Sequence, residues 1–249
     1  MSIPVEIQKI CQVFLAGLNQ TLGEKLVGVY LYGALAFPDA GQVGDIDFHV
    51  ILNAPLVPRE KNLLESLHAS LAKDFPPLGA ELDGYYLLRN DTHRKALPKD
   101  QLREDIYDNS WALHCAHIRQ GRCILLQGPD PVNIYPDVSW PELESALTGE
   151  LNFVASHLDE YPAYCVLNLC RLIYSYSTRD VVVSKRFSAQ WAAGEYPVWA
   201  ALIESAKNSY DHLAGLSDDR LLDKETGAFF AFALDRIELA KKSKISSNK

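Results

Sequence analysis

An α/β domain followed by an α-helical bundle is the fold class the sequence predicts, and three observations predict it. Apolar runs that read as strands alternate with helix-spaced apolar residues through the first half of the chain. Gly128-Pro129-Asp130-Pro131 is a strong turn, and the loop after it extends to Ser139. Nearly everything beyond that loop carries helical spacing. The expected domains are therefore residues 1–139 and 140–249. A chain of 249 residues, 48% of them hydrophobic, can bury a core in each of two modest domains.

Ser2 is placed to cap a first helix, with Pro4 in its first turn and Ile7, Ile10, Cys11, Phe14 and Leu18 on one face. Leu26 to Gly33 reads as a buried strand ending in a glycine turn, and Pro38-Asp39-Ala40-Gly41 has turn chemistry. A second strand follows at Ile46. Pro58 to Phe75 reads as a helix with Leu63, Leu64, Leu67 and Leu71 as its stripe, and Pro76-Pro77 ends it. Glu81 to Leu88 reads as a third strand, Ile106 to Gln120 as a helix and Arg122 to Leu126 as a short strand. The later helices are expected over Trp140–Leu158, Ala163–Ser177, Lys185–Ala193, Pro197–Leu213 and Lys224–Lys242, with a frayed polar tail from Lys241.

Composition narrows the function classes. The formal net charge of −8 argues against a nucleic-acid backbone as partner and suits a cationic small molecule. The five cysteines include no Cys-x-x-Cys pair and read as reduced thiols of a cytoplasmic protein. Met1 to Leu22 lacks the basic start of a signal peptide, and no apolar run reaches membrane-spanning length. A cytoplasmic monomer without membrane contact is the expectation.

The chemistry concentrates in Leu31-Tyr32-Gly33-Ala34 and, after a short loop, Gly44-Asp45-Ile46-Asp47-Phe48-His49-Val50. Alternate residues of a strand share a face, so Asp45 and Asp47 point one way while Ile46 and Phe48 enter the core. Two like charges on one face repel, and a divalent cation relieves that. Oxygen ligands suit magnesium, which takes one or two carboxylates and leaves room for substrate phosphates. Gly33 lets the backbone approach those phosphates. Glu81 and Asp83 share a face of the third strand and supply a further acid if that strand lies beside the second.

Strand, glycine turn and Asp-x-Asp strand together resemble the polymerase-beta-type nucleotidyltransferase signature. Asn168-Leu169-Cys170-Arg171-Leu172-Ile173-Tyr174-Ser175, continuing through Lys185 to Gln190-Trp191-Ala192, resembles the aminoglycoside adenylyltransferases of the streptomycin/spectinomycin type. The similarity runs from about Leu26 to Ile237. It implies a nucleotidyltransferase domain, built on a mixed sheet with helices, ahead of a helical domain. It also implies AMP transfer from ATP to a hydroxyl of a small, aminoglycoside-like acceptor, with antibiotic resistance as the setting. Asp45 and Asp47 would hold Mg2+, Asp83 or Glu81 would serve as base or third ligand with the run of residues favouring Asp83, and Gly33 and Ala34 would meet the triphosphate. Lys185 falls near the lysine that reaches the triphosphate across an interdomain cleft, and Arg171 is either a phosphate ligand or a structural arginine that Asn168 supports.

The chain departs from the family at Ala34, where a serine hydroxyl normally donates to the triphosphate, a loss on the order of 1–2 kcal/mol. Gly44 replaces another serine, and Tyr161 stands where the family has an acidic acceptor contact, with Asp159 and Glu160 beside it. These departures motivate an alternative, a nucleotide-binding pseudoenzyme or regulator. His49 continues the Asp45/Asp47 face, as a site residue or a structural one. His114 and His117 share a helix face without a matching carboxylate, so no zinc site is expected there.

Overall fold

The computed structural model of the chain describes residues 3–39 and 43–247, with side chains through residue 243. Ser2, Ala40 and Gly41, and with them the expected cap and part of the expected turn, lie outside the described residues, as does the end of the tail. The described residues divide into two compact units. One runs to Pro38 and from Val43 to Ser139; the other takes Asp39 and everything from Trp140 onward.

The first unit is built on a four-stranded mixed sheet: β1 (Leu26–Leu31), β2 (Ile46–Leu52), β3 (Leu82–Leu88) and β4 (Ile124–Gln127), in the order β3-β2-β1-β4. β1 is antiparallel to β2 and β4, whereas β2 and β3 are parallel. The parallel pair requires a crossover. Helix α2 (Pro58–Asp74) supplies it.

Period-2 alternation sends side chains to two different cores. Ile46, Phe48, Val50 and Leu52 of β2 pack with Ile7, Ile10, Phe14 and Leu18 of α1 (Val5–Leu22) and with Leu64 and Leu71 of α2. On the other face, Ile51 and Leu87 pack with Trp111, Cys115 and Ile118 of α3 (Trp111–Arg119) and with Ile134 and Tyr135. The sheet is thus covered on both faces.

Several boundaries move for local reasons. Pro4 is the residue before α1, its carbonyl taking the Gln8 N–H, rather than part of the first turn. Leu63 is exposed, so the α2 stripe is carried by Leu64, Leu71 and the half-buried Leu67. Helix α3 begins at Trp111, not Ile106, because Asp108 turns the chain first: its carboxylate accepts from Ser110 N and its carbonyl from Trp111 N.

The second unit is helical: α4 (Trp140–Ser156), α5 (Pro162–Thr178), α6 (Lys185–Glu195), α7 (Ala200–Tyr210) and α8 (Leu216–Ser247). Helix α5 is buried along most of its length, including Val166, Leu169, Cys170, Leu172 and Ile173. α7 is preceded by a separate 3-10 turn at Pro197–Trp199, where proline cannot continue the hydrogen-bond ladder. α8 starts eight residues before the expected Lys224 because Asp218 accepts from Gly215 N and turns the chain into a helix there. Trp191 and Trp199 are half-buried rather than core residues.

Candidate active site

The parallel pairing of β2 and β3 puts Asp47 directly opposite Asp83. Their neighbours Ile46 and Phe48 are committed to the α1/α2 core, so Asp47 must emerge on the opposite face. Neighbouring strands lie about 4.8 Å apart, so in-register side chains on one face are close neighbours. Asp47 is half-buried, and Asp83 and Asp45 are exposed. Asp45 precedes the first residue of β2 and has the same parity as Asp47. Glu81 is exposed and precedes β3; its carbonyl accepts from Ile46 N at 2.8 Å, which fixes the register of the two acidic strands.

β1 delivers the glycine turn to the same place. Tyr32 N donates to the carbonyl of Asp47 at 3.0 Å, and Gly33 then adopts a φ of +66°. A Cβ built at Gly33 would overlap Oδ2 of Asp47. Glycine is therefore required twice over, for the left-handed backbone and for the carboxylate against it. Ala34 follows, half-buried in the 3-10 turn Gly33–Ala36.

Arg103 is a residue that pattern reading missed. Its Nη1 stands 3.9 Å from Oδ1 of Asp83. It is held there by its Nε on Asp100 Oδ2 at 2.7 Å and its Nη2 on the Gly84 carbonyl at 2.8 Å. Asp100 is itself buried and accepts from Tyr86 N at 2.9 Å. The segment Arg89 to Arg103 has no periodicity, so the only signal was its charge.

Arg171 and Lys185 belong to the second unit. Arg171 is half-buried on α5, and Asn168 does not turn to it: the Asn168 amide donates to Glu150 of α4 at 3.0 Å. Lys185 is the first residue of α6, after Ser184, whose hydroxyl accepts from Phe187 N. Its ammonium lies 4.4 Å from the centre of the Tyr164 ring and 5.3 Å from that of Tyr210. Arg186 is engaged by Asp211 at 2.7 Å.

Behind the acidic pair, on the same sheet face, lies a buried polar cluster. Asp108 Oδ2 is 2.8 Å from His114 Nδ1 and 3.2 Å from His49 Nε2. His49 and the Asp108 side chain are fully buried. Tyr32, Tyr85, Trp111 and Tyr135 surround His49. Burial lowers the His49 pKa against the opposing pull of Asp108. Burial would raise the Asp108 carboxyl, but His114 and His49 outweigh it and hold the group well below the usual carboxylate range. The carboxylate that spacing did not supply for His114 is therefore Asp108, from the loop before the helix. His117 points elsewhere, edge-on to Phe37.

The oxygen donors of Asp47 and Asp83 are of the type a hard divalent cation such as Mg2+ takes, but among the described residues Asp45, Asp47 and Asp83 are not gathered into one three-donor group. Such a face can bind phosphate oxygens through the cation and accept a proton through the carboxylate left over.

Residues 133–234 match the family described as "Aminoglycoside adenylyltransferase, C-terminal domain". No curated protein sequence matches the chain. Among solved structures, the crystal structure of spectinomycin adenyltransferase AAD(9) from Enterococcus faecialis, determined with ATP and spectinomycin, matches with a TM-score of 0.72. The match covers 93% of this chain and 99% of that one at 15% sequence identity.

Proposed function

We infer, from an aminoglycoside adenylyltransferase C-terminal domain in residues 133–234 and the acidic sheet face that precedes it, that this chain is an adenylyltransferase. It moves AMP from ATP to a hydroxyl of a small, cationic, aminoglycoside-like acceptor, spectinomycin among those to be tried first, since the fold neighbour was solved with it. The observation that carries the reading is the in-register pair Asp47 and Asp83, with the Gly33 turn seated on Asp47.

The acceptor oxygen attacks the α-phosphorus of ATP, a new P–O bond forms, and the bond to pyrophosphate breaks. Asp47 and Asp45 would hold Mg2+, which would supply charge neutralisation at the phosphate oxygens. Asp83 takes the hydroxyl proton. It is preferred over Glu81 because it sits in register with Asp47 within the ladder, whereas Glu81 precedes it. Tyr32 orients the Asp47 backbone through its N–H, and Gly33 and Ala34 present main-chain groups to the triphosphate. Lys185 and Arg171 are the cations that the family resemblance assigns to the triphosphate, and the net charge of −8 suits a cationic acceptor.

Among the described residues, no helix is long and apolar enough to cross a membrane, and all five cysteines are free thiols. Free thiols fit the reducing cytoplasm, where ATP would be drawn on.

The deciding experiment is pyrophosphate release with Mg2+, ATP and a panel of aminoglycosides, amino sugars and nucleosides. Release that depends on one acceptor and is lost in Asp47→Asn establishes the transferase. ATP binding without release on any acceptor overturns it in favour of a nucleotide-binding protein.

A further inference from the structure

We propose that His49, Asp108 and His114 form a binding site for a borderline divalent transition cation of the Zn2+ type, separate from the carboxylates of the acidic strands. One donor atom from each lies within 4.8 Å of the others. The three come from distant stretches: His49 from β2, Asp108 from the loop before α3 and His114 from α3 itself. A fold that gathers two imidazoles and a carboxylate at one buried point, from segments some 60 residues apart, has done more than satisfy a helix cap.

The donor set selects the class of ion. Two imidazole nitrogens with one carboxylate oxygen suit zinc, cobalt or ferrous iron, whereas magnesium and calcium take oxygen. Metal–nitrogen and metal–oxygen bonds of about 2.0–2.2 Å leave tetrahedral donors about 3.3 Å apart. His49 Nε2 and Asp108 Oδ2 already stand 3.2 Å apart, and His114 Nδ1 and Asp108 Oδ2 2.8 Å. The second contact must open by about half an ångström, and the two imidazole donors, within 4.8 Å of each other, must settle at the same spacing.

A second observation points into the same space. His49 Nε2 is completely buried and has no partner that meets hydrogen-bond geometry; the nearest candidate, Asp108 Oδ2 at 3.2 Å, is a long contact. A buried polar atom left in this state is unfavourable by about 1–3 kcal/mol. A cation resolves it, because a neutral imidazole nitrogen is a ligand rather than a donor there. It also compensates the buried Asp108 charge. The surroundings supply the outer contacts such sites use: His49 Nδ1 is 3.2 Å from the Tyr135 hydroxyl, and Asp108 Oδ1 accepts from Ser110 N at 3.1 Å. The His114 side chain keeps 19% of its surface exposed, which gives the ion an entry path.

His49 lies two residues along β2 from Asp47 on one face, so an ion here ties α3 to the strand that carries the catalytic carboxylate. The role is structural: it rigidifies the sheet beneath the site. This inference rests on the three donors alone and stands apart from the transferase reading.

The test is titration of the full chain, stripped of metal and without nucleotide, with Co2+ followed by d–d absorption, and with Zn2+ followed by thermal melting. One equivalent per chain is expected, with intense tetrahedral bands and a raised Tm under Zn2+. His114→Gln is expected to weaken Co2+ binding by more than about tenfold. Asp45→Asn is expected to leave it unchanged, which separates this site from the magnesium carboxylates. X-ray absorption of the Zn2+ form, which needs no variant to fold, is expected to show nitrogen and oxygen neighbours only. Absence of the bands, binding retained in a folded His114→Gln, or sulfur in the coordination shell would each overturn the proposal.

Discussion

Gly33 sits so close to Asp47 that a single added carbon would overlap the Asp47 carboxylate. The turn after β1 and the acid on β2 are thus one unit, fixed from both sides by the Tyr32 N–H on the Asp47 carbonyl. Gly33→Ala must move the carboxylate and strain a backbone held at positive φ, which costs on the order of 1–3 kcal/mol. The expected result is a folded protein with kcat reduced at least about a hundredfold, since misplacement by about 1 Å is enough for that. Steady-state kinetics beside a thermal melt checks it: full activity in a stable variant would show that the turn does not govern Asp47.

Asp47 and Asp83 face each other across the parallel ladder but carry different assignments. Asp83→Asn removes a base and is expected to lower kcat by about 10²–10⁴, with little change in the KM for ATP. Asp47→Asn is expected to abolish turnover at ordinary Mg2+ and to weaken Mg2+ affinity, visible as a raised Mg2+ requirement for any residual rate at fixed ATP. If Glu81→Gln abolishes turnover and Asp83→Asn does not, the base is Glu81.

Arg103 ties the buried Asp100 to the Gly84 carbonyl and keeps its third nitrogen near Asp83. Arg103→Ala removes charge-assisted hydrogen bonds worth about 1–3 kcal/mol, an estimate at the lower end because the side chain is partly exposed. Urea denaturation measures this directly. Arg103→Lys is expected to recover charge but not the paired geometry, and so only part of the stability.

Ala34 follows Gly33 in the 3-10 turn that leaves β1, half-buried. Ala34→Ser is expected to lower the KM for ATP by up to about tenfold, the worth of one added hydrogen bond. An unchanged KM would mean that main-chain groups alone meet the triphosphate.

Acid should destabilise the protein from two directions in one cluster. His49 has its pKa lowered from 6.5 by burial, so the unfolded chain binds more protons below neutrality and stability falls as pH drops through that range. Asp108 is held below its ordinary 3.8 by His114 and His49 against burial, so its stabilisation is present above that value and is lost at more acid pH. The Tm is expected to fall between pH 7 and pH 5, and His49→Gln to flatten that slope. Half-buried His68, also lowered by its desolvation, leaves a residual slope.

The acidic face was readable because its signals are local. Asp47 alternates with Ile46 and Phe48, and the core takes the apolar pair; Asp83 lies in register with it, whereas Asp45 and Glu81 precede their strands, where alternation does not place them. What was not readable came from segments without periodicity. Asp108 and Arg103 sit in irregular chain between β3 and α3, where only tertiary contact decides what a charge meets. The late start of α3 and the early start of α8 were hidden for one reason: a side-chain carboxylate, Asp108 or Asp218, reorganises the turn before the helix. Asn168 shows the converse error, since helical adjacency to Arg171 counted for less than Glu150 on the neighbouring helix.

The parallel register of β2 and β3 also determines where the chain tolerates change in length. Every residue from Ile46 to Leu52 has a fixed partner from Leu82 to Leu88. A one-residue slip would turn Asp83 into the α1/α2 core and bring Leu82 or Gly84 opposite Asp47. Insertions in the exposed stretch around Asn53 can be absorbed as slack before α2, whereas one between Gly79 and Leu82 shifts the acid itself. Natural and engineered variation should therefore accumulate on one side of the crossover helix and be purged from the other.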